Sequence, residues 1–453
     1  MKIHAKSALV DRGWLQNVCL TCVDGKISNW ESGVNIDGAD YAVDVLLPAL
    51  GNLHSHTFQR AMAGMTEFRT AGRENFWTWR DLMYRFLGHL TPDQYEAIAA
   101  LVFMEMLEAG YASVGEFHYV HHQPNGAPYS QLSELSERVF AAAKQTGIGL
   151  THLPVLYTYG GVNQEPLAGG QLRFANDVER FLSLVESCKA SQSDLPADAQ
   201  VGIAPHSLRA TSPIDLGRVL QATPQGPVHI HISEQPKEVA DVEAKLGQRP
   251  VEWLLNKFDV DTRWCLIHAT HMSKAETIAM ANSGAVAGLC PITEANLGDG
   301  PFNGRTFLEH DGAFGLGSDS NVRISLTEEL RTLEYSQRLR DMARNVLVAK
   351  EGSVGKTLYT GAALGGAQAL GRDAGSIEVG KLADLVAIDR SHPALCTLQD
   401  DQLLDGLCFV APDSVVTDTW SAGRHVVREG RHKERDAIVA RYKSALSKLL
   451  QAV

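Results

Sequence analysis

Between about residues 49 and 370, apolar strand-like runs alternate with helical stretches. Eight of these runs end in ALGNLHSHTF, YASVGEFHYV, IGLTHLPVLY, AQVGIAPHSL, GPVHIHISEQ, RWCLIHATHM, GAVAGLCPIT and GAFGLGSDSN. Such alternation specifies βα units and a parallel sheet. Eight units suffice to close a (β/α)8 barrel. The stretch TPDQYEAIAALVFMEMLEAG predicts one of the outer helices: Thr91 caps it, Pro92 takes the first helical position, Gln94 completes a capping box and Gly110 ends it.

Both chain ends read differently. Short segments of alternating polarity fill the first 45 residues (KIHAKSALV, QNVCLTCV, KISNW, YAVDVLL), and GSIEVGKLADLVAIDRS with DSVVTDTWSAGRHVVREGR repeats the pattern near the other end. The expected organisation is an α/β chain, a (β/α)8 barrel over 49–372 with a small β module over 1–48 and 373–432. RDAIVARYKSALSKLLQAV then forms an amphipathic helix over 433–453, packed on the surface or on a partner subunit.

Composition narrows the function. With 44% hydrophobic and 21% charged residues the chain is globular, and a net charge of −12 without a Lys/Arg stripe argues against nucleic acid. No apolar run approaches the eighteen or so residues of a membrane span, and MKIHAKSALVDRGW lacks the apolar stretch of a signal peptide. Seven scattered cysteines suit a reducing compartment, so a cytoplasmic protein is expected. Cys19 and Cys22 form a CxxC without a second one, inside a strand-turn-strand pattern, and read as structural thiols.

Polar residues gather at the C-terminal strand ends, where a barrel builds its sites: His54, His56, His118, His206, Glu234, His268 and Asp319. His54 and His56 lie two apart, so on a strand both face one side and can grip one ion. With 17 histidines in the chain they also read as two packed or solvent-facing residues. In HIHISEQ, His231 can ligate while Glu234, just beyond the strand, reaches a water or a substrate nitrogen. His229, one layer deeper, reads as interior packing, with support of a ligand as the alternative. In CLIHATH the strand closes on His268, whereas His271 falls in the following loop. Asp319, between two serines, reads alone as a helix cap.

The order HxH, HxxE, His, Asp at the ends of the first, fifth, sixth and eighth strands resembles the amidohydrolase superfamily over nearly the whole chain. Its members join a (β/α)8 barrel to a β-sandwich made from both chain ends. LTHLPVLY and GIAPHSL supply no metal-bridging lysine, which points to the one-metal deaminase branch. The resemblance implies one divalent ion held by His54, His56, His231 and Asp319. Zinc is the default for three imidazoles and a carboxylate, and iron or manganese would also fit. It implies proton handling by Glu234, His268 and Asp319 during attack of water on a carbon doubly bonded to nitrogen, and it suggests a homodimer.

Within that branch, GNLHSHTFQRAMAG, FWTWRDLMY, GEFHYVHH and APHSLRATS are similar to the family that deiminates formiminoglutamate. The implied reaction converts N-formimino-L-glutamate and water to N-formyl-L-glutamate and ammonia, in histidine degradation. A small dicarboxylate substrate wants cationic and hydrogen-bonding partners. The motif matches supply Arg80 and Arg209 as anchors, with Gln59, Tyr119 and His206 as neutral donors. Plainer roles exist: Arg80 paired with Asp81 or Asp311, Tyr119 capping the second strand, Trp77 and Trp79 in core or lid, and Arg60 an ordinary charged residue. The competing functions are deamination of a guanine-like or adenosine-like base, and a metal-free scaffold.

Overall fold

The computed structural model describes residues 1–69, 76–348 and 350–453, with the side chains of 76–78 excepted. Four strands open the chain: β1 (Lys2–Val10), β2 (Gly13–Val23), β3 (Lys26–Glu31) and β4 (Tyr41–Pro48). The barrel strands follow: β5 (Leu50–Ser55), β6 (Tyr111–His118), β7 (Gly149–Leu156), β8 (Gln200–Val201), β9 (Ala204–Pro205), β10 (Val228–Ile232), β11 (Trp264–His268), β12 (Val286–Leu289) and β13 (Phe314–Leu316). β14 (Leu385–Ile388), β15 (Val416–Ser421), β16 (Arg424–Arg428) and β17 (Arg431–His432) return to the first sheet.

The parallel sheet runs β10-β11-β12-β13-β5-β6-β7-β8. Single bridges Ile203↔Val228 and Ser207↔His231 join its two ends and close the barrel. The fourth predicted strand is split into β8 and β9, both pairing with β7. At Gly202, between them, a Cβ would lie 2.6 Å from the Pro227 carbonyl oxygen, so only glycine lets the two segments approach there.

The barrel strands are buried along their lengths, as strands covered by helices outside and side chains inside must be. Helix Val354–Ala369 packs against β13 and β5 through glycines; a Cβ on Gly365 would stand 1.9 Å from the Phe314 carbonyl oxygen. Helix Pro92–Glu108 starts as its sequence predicts, with the Thr91 hydroxyl accepting from Gln94 N–H at 3.4 Å and the Gln94 side chain accepting from Thr91 N–H at 2.9 Å. It is apolar nearly all round because the C-terminal helix Arg435–Leu450 lies on its outer side, where Arg441 reaches Glu96 at 2.6 Å.

Both chain ends build one eight-stranded sheet, ordered β17-β16-β15-β14-β4-β1-β2-β3, with only β1 and β4 parallel. Its core includes Ile3, Leu20, Leu46, Leu385 and Trp420. A buried ion-pair network fastens it to the barrel floor: Arg372 bonds Asp384 at 2.9–3.0 Å and Asp198 at 3.1 Å, and Arg424 meets Asp198 at 2.6 Å.

Candidate active site

β5 ends on His54-Ser55-His56, and Asp319 from the end of β13 is tied to the same segment through the backbone. Asp319 N–H donates to the His54 carbonyl, and His56 N–H donates to the Asp319 carbonyl, both at 2.9 Å. Asp319 therefore caps no helix; the next helix is capped by Ser325. Its carboxylate lies 3.4 Å from His54 Nε2 and 3.3 Å from His56 Nε2. Ser233, His268, Ala269 and Asp319 all have positive φ, between 45° and 67°. Left-handed backbone at four non-glycine residues stores strain of the kind that gathers where strand ends turn side chains into a site.

His231 completes the cluster, its Nε2 standing 3.1 Å from His54 Nε2. Neighbouring carbonyls fix two tautomers: His56 Nδ1–H donates to Phe117 O at 2.9 Å and His231 Nδ1–H donates to His206 O at 3.1 Å. Both rings thus present Nε2 lone pairs inward. Burial pushes His54 down to about 3 and lowers His56 and His231, so all three are neutral imidazoles. Burial would raise Asp319, but the His54, His56 and His268 rings hold it well below the usual carboxylate range. Three imidazoles converging beside an ionised carboxylate, with His56 and His231 presenting Nε2 lone pairs, suit a divalent cation. The ligand atoms of His54, His56 and His231 lie within 4.8 Å of one another, as do those of His54, His268 and Asp319.

Beside this cluster, His268 Nε2 is 3.8 Å from Glu234 and 4.0 Å from Asp319. Burial opposes a charge on His268, yet Glu294, Glu234 and Asp319 outweigh it and push the group up to about 10. Glu234 is raised from its ordinary value by burial, against the pull of His268 and Arg209. Two buried neighbouring groups whose proton affinities are both raised are the arrangement of an acid–base site.

One cavity joins His56, His231, Asp319, Glu234 and His268 to the five residues assigned to substrate: Gln59, Arg80, Tyr119, His206 and Arg209 all line it. Gln59 Nε2 donates to Tyr119 O–H at 2.6 Å, and Arg209 lies 3.4 Å from Glu234. The Arg80 guanidinium sits 5.5 Å from the centre of the Tyr84 ring. Trp79 is also in the wall, whereas the Trp77 side chain lies outside the described residues.

Two expectations change, for His118 and Arg60, while His229 is the buried interior residue expected. His118, grouped with the strand-end residues, turns away from the mouth and bonds the Tyr95 hydroxyl at 3.1 Å, because its neighbours Phe117 and Tyr119 take the inward face. His229 lies at the barrel floor, on the Ala369 carbonyl at 2.8 Å. Arg60 is more than a surface charge: it donates to the Asn321 and Val322 carbonyls and pairs with Glu105, bracing the loop after Asp319. The sequence reading missed Glu238 and Glu294, buried carboxylates on the helices after β10 and β12. Glu238 accepts from Glu234 N–H at 3.0 Å, and Glu294 accepts from His268 at 3.3 Å. The signal available was an acidic residue in a helix's first turn, which ordinary capping also produces.

The amidohydrolase family profile matches residues 45–426, and a profile described as formimidoylglutamate deiminase HutF, N-terminal domain, matches residues 1–42. The chain is 48% identical over 451 residues to the formimidoylglutamate deiminase of Pseudomonas aeruginosa, covering 99% of each. It is 26% identical over 400 residues to a 5-methylthioadenosine/S-adenosylhomocysteine deaminase of Natronomonas pharaonis, covering 87% of this chain and 84% of that one. Among solved structures, an amidohydrolase from Brucella melitensis superposes with a TM-score of 0.96 at 48% identity over 99% of both chains. The chain belongs to the amidohydrolase family.

Proposed function

We propose that this protein hydrolyses N-formimino-L-glutamate to N-formyl-L-glutamate and ammonia, a step of histidine degradation. The observation that carries the reading is the placing of two arginines, Arg80 and Arg209, in the same cavity as the His–Asp cluster and the Glu234–His268 pair. A dicarboxylate bearing an amidine needs both halves. The end-to-end likeness to the Pseudomonas aeruginosa deiminase supports the same reading.

His54, His56, His231 and Asp319 are the residues that would hold one divalent ion, zinc by preference. When bound, the ion supplies Lewis acidity, making a nucleophilic water available near neutral pH. Asp319, ionised in its ring of imidazoles, takes a proton from that water as it adds to the formimino carbon. Glu234, protonated through its raised affinity, gives its proton to the imine nitrogen and, recharged by the proton taken from water, serves the departing amine. As ammonia leaves, the hydroxyl of the tetrahedral carbon gives its proton back to Glu234, and the formyl group remains. His268, held as a cation beside Glu294, Glu234 and Asp319, stabilises negative charge developing on the attacking oxygen. Arg209 and Arg80 pair with the substrate carboxylates, and Gln59, Tyr119 and His206 fix the chain between them.

Among the described residues no helix is long and apolar enough to cross a membrane. The acidic net charge supports an enzyme without a nucleic-acid partner, we read its location as cytoplasmic, and the family resemblance supports a homodimer. An ammonia-release assay tests the activity with N-formimino-L-glutamate beside guanine and S-adenosylhomocysteine. Release from the formimino substrate is expected; release from a purine alone would overturn the proposal.

A further inference from the structure

Resting on the reading above, we infer that Glu294 is a positioning residue for His268, one that fixes which ring nitrogen faces the reaction. His268 offers two nitrogens with different surroundings. Nε2 points to Glu234 and Asp319, at 3.8 and 4.0 Å, while Nδ1 lies 3.3 Å from Glu294 Oε1. A carboxylate oxygen accepts from Nδ1–H, so the contact holds Nδ1 toward Glu294 and leaves Nε2 facing Glu234 and Asp319.

Glu294 is itself held. It sits on helix Pro291–Leu297, which begins directly after β12, and the same Oε1 atom accepts from Cys290 N–H at 2.9 Å. Glu294 is buried, with 5% of its surface exposed, so solvent does not compete for the carboxylate. His268 needs such a restraint because its own backbone is left-handed, at φ 67°, and the next residue is at φ 48°. β11 ends on His268 itself, so no strand continues past the residue to set the direction of the ring. The carboxylate therefore supplies through the side chain an orientation that strand geometry no longer supplies through the backbone, as an orienting acid does for a catalytic histidine.

Glu294→Met fills a similar space and removes the acceptor. Glu294→Gln keeps an acceptor oxygen where Cys290 N–H holds it. Turnover of N-formimino-L-glutamate should fall on the order of 10- to 100-fold in the Met variant, with KM and metal content close to those of the parent, and the Gln variant should recover most of it. In a His268→Ala background the Met substitution should cost less than about threefold, because the residue acts through His268. Nitrogen-15 NMR of histidine-labelled, metal-free protein reads the contact directly: the His268 Nδ1–H resonance should show a hydrogen bond in the parent and the Gln variant, and lose that signature in the Met variant.

Full turnover in the Met variant, an undiminished cost in the His268→Ala background, or an unchanged His268 spectrum would each overturn the inference. Should the Met variant not fold, the Gln variant decides alone: a folded Gln variant slowed more than about a hundredfold, or lacking the hydrogen-bonded His268 Nδ1–H signal, is incompatible with the role. A parent enzyme that leaves N-formimino-L-glutamate untouched while the Met variant still shifts the His268 spectrum would sink the functional reading and leave the positioning intact.

Discussion

Arg209 lies 3.4 Å from the Glu234 carboxylate, so the proposed substrate anchor touches the proposed proton carrier. The pair is buried with Glu238 close behind, 4.0 Å from Arg209 Nε. Arg209→Met should weaken apparent binding of N-formimino-L-glutamate by about 2 to 4 kcal/mol, the cost of leaving charged groups without their partner. Turnover should fall with it, because Glu234 loses a neighbouring cation. Steady-state KM and kcat measure both; an unchanged affinity would remove Arg209 from the pocket.

Glu234→Ala should retain metal and lose turnover by about a hundredfold or more, the usual contribution of a positioned acid–base group. Its carboxylate is not among the closely grouped His54, His56 and His231 ligand atoms. Elemental analysis alongside a turnover assay separates the two effects. Near-parental turnover would exclude Glu234 as proton carrier.

Metal and stability should be linked. A ligand that binds only the folded cluster raises stability by mass action, so chelation should lower the melting temperature and abolish ammonia release, with zinc restoring both. Less than about a tenth of a metal per chain after chelator-free purification would instead favour the scaffold reading, since structural and catalytic sites of this donor set normally hold their ion.

Arg372 is fully buried between Asp198 and Asp384. Arg372→Met leaves buried Asp384 without its guanidinium and Asp198 with Arg424 alone, and should cost about 3 to 5 kcal/mol of stability. Burial would raise Asp198, but the Arg424 and Arg372 guanidiniums outweigh it and hold it below its ordinary range. A depressed carboxyl stabilises the fold above its unfolded value of about 3.9 and loses that contribution as pH falls through the folded value. The gap in melting temperature between parent and variant should therefore be wide at neutral pH and narrow in acid below about pH 4. A gap independent of pH would show that Asp198 does not depend on the arginine.

Gly365→Ala should destabilise by about 1 to 3 kcal/mol or more, the cost of overpacking, since its Cβ would overlap the Phe314 carbonyl oxygen at 1.9 Å. Denaturant unfolding reads the loss. An unaffected midpoint would mean that the helix shifts freely on the sheet.

Much of the molecule was legible in one dimension. Strand periodicity put His54 and His56 on one face, the helix signals Thr91, Pro92 and Gln94 marked an outer helix, and alternation counted eight barrel strands. Side-chain parity within one strand is a local property, fixed by the pleat, and capping is fixed within a turn. The same parity misled where the strand's register against the barrel was needed: His118 closes β6, yet the inward face belongs to Phe117 and Tyr119. The split of the fourth strand escaped too, because the obstacle at Gly202 is the carbonyl of Pro227, twenty-five residues away in sequence.

The sequence by itself determined the fold class and the residue types of the site, because periodicity, caps and the order HxH, HxxE, His, Asp are written along the chain. Only the tertiary structure decided how those residues meet. Asp319 is paired by backbone to His54 across 265 positions, Glu294 comes to His268 from the next βα unit, and Arg209 comes to Glu234 from the previous one. These contacts depend on barrel closure, which brings distant strand ends to one mouth, and no local pattern encodes which buried carboxylate will face which ring.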